Sequence, residues 1–341
     1  MFDLKKIVRP TILSLEPYSS ARNEYTGTAG VFLDANENPF GTWNRYPDPN
    51  QQKLREKIAQ VKSVTTDSVF LGNGSDEIID LCFRIFCEPG KDKALTFTPT
   101  YGMYEVSAAI NTVTLLELPL NEAFQIDEAA VLPLLQTENL KLVFLCSPNN
   151  PTGNTLEGID FILAHFNGIV IVDEAYIDFS NRPSYSQKIN QYPNLIVLQT
   201  LSKAWGMAAL RIGIALAQPE LLSLLNRIKP PYNISSPAQQ IALEALEATA
   251  LFETQKQLLI TEREKMTEAL QQSPIIRKVY PSEGNFILVT VSDADRVYKQ
   301  LTDTNLIVRN RNTVIRNCLR ITIGTPEENV LLLAALQNIK S

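Results

Sequence analysis

Residues 168–179 read GIVIVDEAYIDF, and residues 194–217 read NLIVLQTLSKAWGMAALRIGIALA. Each segment opens on a run of apolar, largely β-branched residues with no polar alternation. Such runs suit strands in the middle of a sheet that is covered on both faces. Each run stops abruptly on polar residues: Asp173, Glu174 and Tyr176 in the first, Ser202, Lys203 and then Arg211 in the second. Working outward, VFLG (69–72), KALTFT (93–98), TVTLLEL (112–118) and KLVFLC (141–146) are further short β-rich runs. Helical stretches lie between several of them, and QQKLREKIAQVK (51–62) is one. Strands alternating with helices predict an α/β fold: a large domain with a mostly parallel central sheet covered by helices.

After Pro230 and Pro231 the pattern changes. Residues 236–272 contain no Gly or Pro beyond Pro237 and read as one long helix or two abutting ones. RKVYP, NFILVTV, LIVRN, CLRITIG and a C-terminal helix then make a smaller α+β domain. The expected division is an N-terminal arm at 1–30, a large domain at 31–240 and a small one at 241–341. The arm is expected to pack near the small domain, and VFLD (31–34) reads as a strand.

Composition narrows the function classes. The chain has 341 residues, 45% hydrophobic and 20% charged, which supports a sizeable core and excludes wholesale disorder. Lys and Arg number 31 against 37 Asp and Glu, for a net charge of −6 with no basic tract. Nucleic acid and anionic membranes are therefore not expected partners. No run of apolar residues reaches the length of a membrane span or a signal core, so the chain is expected to be cytoplasmic. Cys82, Cys87, Cys146 and Cys318 do not make a disulfide framework and read as reduced, buried thiols. No metal site is expected. The one histidine, His165, makes a histidine-based triad improbable and reads as the end of a helix.

Open α/β sheets bind ligands beyond the carboxyl ends of their strands. Four strand ends here carry unusual residues. VFLGNGSDEII (69–79) runs from strand through two glycines into Ser75 and Asp76 at a helix start. Free amides and the helix dipole make such a turn an anion site, although a capped helix start reads the same way. LCSPNNPTGN (145–154) fixes a loop with two prolines and aims an asparagine amide from a buried strand end. Asp173 ends a strongly apolar strand, where a carboxylate is costly unless something positive lies opposite. Lys203 and Arg211 flank a loop between two apolar strands, and a lysine in such a pocket can lose its proton and act as nucleophile or base. An anion cradle, an Asn, an Asp, a Tyr, a Lys and an Arg together are what pyridoxal 5'-phosphate needs: an amine for its aldehyde, a carboxylate for its ring nitrogen, donors for its ring oxygen and cations for its phosphate.

SPNNPTG, VDEAY and TLSKAWGMAALRIG, in this order, resemble the fold-type I pyridoxal phosphate aminotransferases. LDANENPF, RYPDPNQQKLREKIA, GNGSDEIIDLCFRIFCEPGKD, PTYGMYEV and CLRITIGT narrow the likeness to the histidinol-phosphate aminotransferases, from PYSSAR at 17–22 to the end. The resemblance implies that Lys203 is the Schiff-base lysine, that Asp173 faces the pyridine nitrogen, and that Tyr176 and Asn150 contact the ring oxygen. It implies that Tyr101 stacks on the ring and that Arg211, Ser202 and the backbone at Ser75 and Asp76 hold the cofactor phosphate. It puts Tyr46 on the phosphate of a neighbouring subunit's cofactor, so the implied unit is a homodimer with shared sites. Arg309 and Arg320 would bind the substrate's anionic end, with Tyr18 and Asn36 lining the pocket. The implied reaction, in histidine biosynthesis, converts histidinol phosphate and 2-oxoglutarate into imidazole acetol phosphate and glutamate. Trp205 and Ala209 depart slightly from the family pattern, away from any cofactor contact. An aromatic amino acid aminotransferase and a threonine-phosphate decarboxylase, a lyase of the same fold, stay open as alternatives.

Overall fold

The computed structural model describes residues 2–18 and 30–339. The remainder of the expected arm, residues 19–29, lies outside the described residues. Seven strands form the large sheet: β1 (Val69–Asn73), β2 (Lys93–Thr98), β3 (Thr114–Pro119), β4 (Leu140–Cys146), β5 (Ile169–Asp173), β6 (Leu195–Thr200) and β7 (Ile212–Ala217). Their order is β1-β7-β6-β5-β4-β2-β3. All are parallel except β7, which runs antiparallel to both β1 and β6. That reversal is invisible in sequence, because an apolar run carries no direction.

Alternation along these strands builds two cores. Val170, Val172, Leu195 and Val197 face one layer, with Leu54 and Ile58 of α1 (Gln52–Lys62). Ile169, Ile171, Ile196 and Leu198 face the other, with Ile78, Phe83 and Phe86 of α2 (Ser75–Phe86) and Tyr104 of α3 (Met103–Ile110). Further along the chain, α4 (Glu128–Leu135), α5 (Ile159–His165) and α7 (Ser236–Glu247) join the first layer, while α6 (Pro219–Ile228) joins the second.

The stretch from 236 to 271 is two abutting helices. Serine-capped α7 ends at Glu247, Ala248 leaves helical geometry at ψ 48°, and α8 (Thr249–Gln271) resumes. Strands β8 (Ile276–Val279), β9 (Phe286–Val291), β10 (Arg309–Asn310) and β11 (Cys318–Thr322) make an antiparallel sheet in the order β10-β11-β9-β8. Ile287, Val289, Leu319 and Ile321 on one of its faces pack on α8, α9 (Ala294–Thr302) and α10 (Pro326–Asn338). Phe286, on the opposite face, packs edge-on against Tyr176 of the large-sheet unit, with ring centroids 5.1 Å apart. The loop between β8 and β9 clasps that unit as well. Glu283 accepts from Thr155 at 2.8 Å and from Ser180, and its amide donates to the Gly153 carbonyl at 2.7 Å.

Two expectations need correction. The described part of the arm packs on the large-sheet unit and not near the small one. Val8 is buried among α2 and α6 residues, Arg9 bonds Glu88 and the Arg84 carbonyl, and Arg227 holds the Ile12 and Leu13 carbonyls. Residues 31–34 form no strand. Val31 and Leu33 are each 88% exposed, so their alternation has no core face to bury, and burial decides a strand more than pattern does. Among the described residues, no helix is long and apolar enough to cross a membrane, and no group of three or more His, Cys, Asp or Glu side chains could hold a metal.

Candidate active site

A cavity of about 720 Å³ opens over the carboxyl ends of β4, β5 and β6 and is roofed by the small sheet. Asp173, the last residue of β5, is only 3% exposed. Its Oδ2 accepts from the Tyr104 hydroxyl at 2.8 Å and its Oδ1 from the Ala175 amide at 3.1 Å. Burial pushes its carboxyl up to about 6, against those two hydrogen bonds. Among the described residues neither Asp173 nor its buried neighbour Glu174 forms an ion pair. Neutral donors satisfy Glu174: Ser184, the Tyr185 amide at 2.7 Å and Gln199 at 2.9 Å. It points away from the cavity, and burial lifts it to about 7.

Lys203 lies in the loop that turns from β6 into β7, with its Nζ 5.5 Å from the centre of the Tyr176 ring. Burial lowers its pKa, and the charge of Arg320 lowers it further, with Asp173 and Asp76 opposing. An amine in this place gives up its proton more readily than an exposed lysine does. The Tyr176 hydroxyl accepts from Asn150 Nδ2 at 3.4 Å and is held protonated by burial. Asn150 Oδ1 in turn accepts from Arg320. The other asparagine of the loop, Asn149, spends its amide on the Pro99 carbonyl and Thr152 and so is structural.

At the other end of the cavity α2 begins without a side-chain cap, since its N-cap is Gly74 at φ +76°. The amides of its first turn therefore remain available, and the dipole favours an anion there. Arg211, itself left-handed at φ +56°, donates no backbone bond to the turn but accepts from the Gly74 amide at 2.8 Å. Its guanidinium lies 3.5 Å from Asp76, and Asp76 also accepts from the Tyr101 hydroxyl at 3.0 Å. The Ser202 hydroxyl, bonded to Thr200 at 3.0 Å, completes this end. Gly213 of β7 backs onto the turn so closely that a Cβ there would overlap the Gly74–Ser75 backbone.

Of the residues singled out from sequence, Ser75, Asp76, Tyr101, Asn150, Asp173, Tyr176, Ser202, Lys203, Arg211, Arg309 and Arg320 line this one cavity. Tyr46 and Asn36 line a separate recess with Trp43 and Ser235, where Tyr46 stacks on Tyr232 at 4.5 Å. Tyr18 is 71% exposed and does not line this cavity. His165 ends α5, bonded to the Phe161 carbonyl and remote from the site. Two contributors escaped the sequence reading. Tyr104 reaches Asp173 from the first turn of α3, whose N-cap Gly102 directly follows Tyr101. Arg311 enters the cavity two residues after Arg309, just past the end of β10. The i, i+2 spacing of Arg309 and Arg311 was the available signal for the latter.

The residues present fit pyridoxal phosphate. Asp173 is a buried carboxylate whose missing cation a protonated pyridine nitrogen would supply, a softened lysine stands in the same cavity, and an uncapped helix start with Arg211 and Ser202 offers a phosphate cradle.

A model of the family described as aminotransferase class I and II matches residues 21–336. A histidinol-phosphate aminotransferase of Parabacteroides distasonis is 52% identical over 100% of both chains. The crystal structure of the histidinol-phosphate aminotransferase from Clostridium acetobutylicum superposes with a TM-score of 0.79 at 26% identity, covering 86% of this chain and 90% of that one. That from Sinorhizobium meliloti, solved in complex with pyridoxal-5'-phosphate, shares the fold with a TM-score of 0.78 at 23% identity, over 86% and 82% of the two chains. On the family match and on full-length relatives well above 30% identity, the chain belongs to the class I and II aminotransferases, within the histidinol-phosphate aminotransferases.

Proposed function

We propose that this chain exchanges an amino group between histidinol phosphate and 2-oxoglutarate, with Lys203 and Asp173 at the centre of the reaction. The observation that carries the reading is their pairing: a carboxylate buried with no ion pair among the described residues and a lysine softened by burial, in one cavity with an open helix start. Bound there, pyridoxal phosphate supplies an aldehyde for the lysine and an electron-withdrawing ring.

The side chains divide the work by position. Arg211, Ser202 and the amides at Ser75 and Asp76 hold the cofactor phosphate. Asp173 holds a proton on the ring nitrogen, while Asn150 and Tyr176 donate to the ring oxygen. Tyr101 stacks on the ring face, its hydroxyl tethered to Asp76. Lys203 Nζ moves a proton at the substrate carbon that bears nitrogen, a role suited to an amine of lowered pKa. Arg309 and Arg320 take the substrate's anionic end, phosphate in one half-reaction and carboxylate in the other, because a guanidinium pairs bidentately with both. Asn36, Tyr18 and Tyr46 lie outside this chain's own cavity and belong to a site shared across a homodimer, with Tyr46 reaching the partner's cofactor phosphate. All four cysteines are buried and free, which suits the reducing cytoplasm.

Borohydride treatment of the purified protein should fix a pyridoxyl group on Lys203, read by peptide mapping. A label on another lysine, or none, would reject the assignment. Lys203→Ala should abolish steady-state turnover while retaining cofactor through the phosphate cradle.

A further inference from the structure

Strand alternation in the small sheet sends Arg320 toward the cavity while Leu319 and Ile321 face the helices. Arg309 pairs directly across from Arg320 in the β10–β11 ladder, and that ladder runs on through the Arg311 amide to the Cys318 carbonyl at 3.0 Å. The period of two therefore places Arg311 beside Arg309 on the cavity side. Three guanidiniums thus share one wall. The acids that line the cavity, Asp76, Glu105 and Asp173, all belong to the large-sheet elements opposite. The Nε atoms of both Arg311 and Arg320 are buried without an acceptor among the described residues. The charges that act on Arg311 are those of Arg320 and Arg309, all of one sign. Holding like charges together around unfilled donors is costly unless an anion of matching charge enters.

We infer that Arg311 is a specificity-determining residue: it supplies the extra positive charge that makes this end of the cavity prefer a phosphate monoester dianion over a carboxylate. The inference rests on the aminotransferase reading above and deepens it. A carboxylate carries one negative charge and two acceptor oxygens, which Arg309 and Arg320 already satisfy without a third guanidinium. A phosphate monoester carries nearly two charges and three terminal oxygens at neutral pH, so beside Arg309 and Arg320 it still offers an oxygen to a third guanidinium. Arg320 already bonds Asn150, so it engages the first oxygens from a fixed position. Among the described residues the Arg311 guanidinium bonds no side chain, which leaves it to meet the third oxygen.

The test compares Arg311→Gln and Arg311→Lys with the parent enzyme, each loaded with cofactor. The two half-reactions, with histidinol phosphate and with glutamate, are followed separately by absorbance. In Arg311→Gln the ratio of kcat/KM for histidinol phosphate to that for glutamate should fall about ten- to a hundredfold, the scale of one lost charge-assisted contact. Arg311→Lys should recover part of that ratio, since it keeps the charge and loses the fork. Methyl phosphate should inhibit Arg311→Gln more weakly than the parent by a similar factor. A ratio unchanged within about twofold, or glutamate turnover falling as far as histidinol phosphate turnover, would overturn the inference. Should the glutamine variant not fold, the ratio in Arg311→Lys decides alone, because losing bidentate geometry must still lower it. A parent enzyme that does not distinguish histidinol phosphate from unphosphorylated histidinol would instead sink the functional reading, whatever the variants do.

Discussion

Asp173 titrates in the wrong place for an ordinary carboxylate, and the displacement has a sign that can be measured. A free aspartate titrates near 4, and burial moves Asp173 to about 6. Folding of the cofactor-free protein thus favours the protonated acid. That contribution is full below about pH 4 and is lost as pH rises through about 6, with a magnitude on the order of 3 kcal/mol. Urea unfolding of cofactor-free protein at a series of pH values should show parent stability falling over this window relative to Asp173→Asn, which carries no titrating group. Parallel curves for the two proteins would refute the displaced titration. With cofactor bound, the same Asp173→Asn should lower kcat by about a thousandfold or more, since an amide cannot hold the ring proton. Tyr104→Phe removes one of the two donors that hold the carboxylate ionised. The Asp173 midpoint, followed by infrared titration, should then rise by about one unit further. Lys203, Asp173, Tyr176, Asn150 and Arg211 were legible because each sits at a strand end, where local sequence announces a polar residue in an apolar context. Tyr104 and Arg311 were not, because their roles arise from contacts between elements. Tyr18, Asn36 and Tyr46 could not be seated by one chain at all, since their proposed partners belong to a second one.

The turn from β1 into α2 depends on a strand far along the chain. Gly213 of β7 pairs with Gly72 and presses its bare Cα against the Gly74–Ser75 backbone, and Gly74 leaves room for the Arg211 guanidinium at a φ that favours glycine. Gly213→Ala should therefore push the start of α2 outward. Stability should drop by about 1–3 kcal/mol, the usual cost of an overpacked site. Cofactor affinity should fall with it, because the phosphate cradle is built from the displaced amides. Calorimetry and a cofactor titration check both, and an unchanged cofactor Kd would show that the turn does not serve the phosphate. The elements themselves were largely readable. Continuous apolar runs gave the buried strands, and the Gly- and Pro-free stretch after Pro237 gave the helical pair. The break at Ala248 was not readable, for no helix breaker marks it; serine capping and packing fix α7 while α8 starts afresh. The run LIVRN pointed to β10, but only its last two residues, Arg309 and Asn310, join the ladder.

At the scale of the molecule, the segment 31–46 carries Val31, Leu33, Phe40, Trp43 and Tyr46 exposed together, an apolar surface of the kind that marks an interface. Sedimentation should accordingly show a dimer, and charge-tagged heterodimers should test who owns Tyr46. Pairing a Lys203→Ala chain with a Tyr46→Phe chain creates one site with neither lesion if Tyr46 acts on its partner. Activity should then approach half that of the parent dimer, well above the mean of the two mutant dimers. Activity at that mean would refute the shared site. Within one chain, the clasp of Glu283 on Gly153, Thr155 and Ser180 has a mechanical consequence. It pins the small sheet beside β9, only three residues from Asn150 on the opposing loop. β10 stands two strand spacings away across β11, about 10 Å. Any rocking about that pivot sweeps Arg309 and Arg311 through the longest arc, Arg320 through about half of it, and Asn150 hardly at all. A turn of about ten degrees shifts the far arginines by roughly 2 Å on that lever arm. On the proposed roles, such rocking would make the cofactor end of the pocket the fixed jaw and the substrate end the sliding one, like a caliper that closes on a short amino acid and opens for a longer phosphate ester.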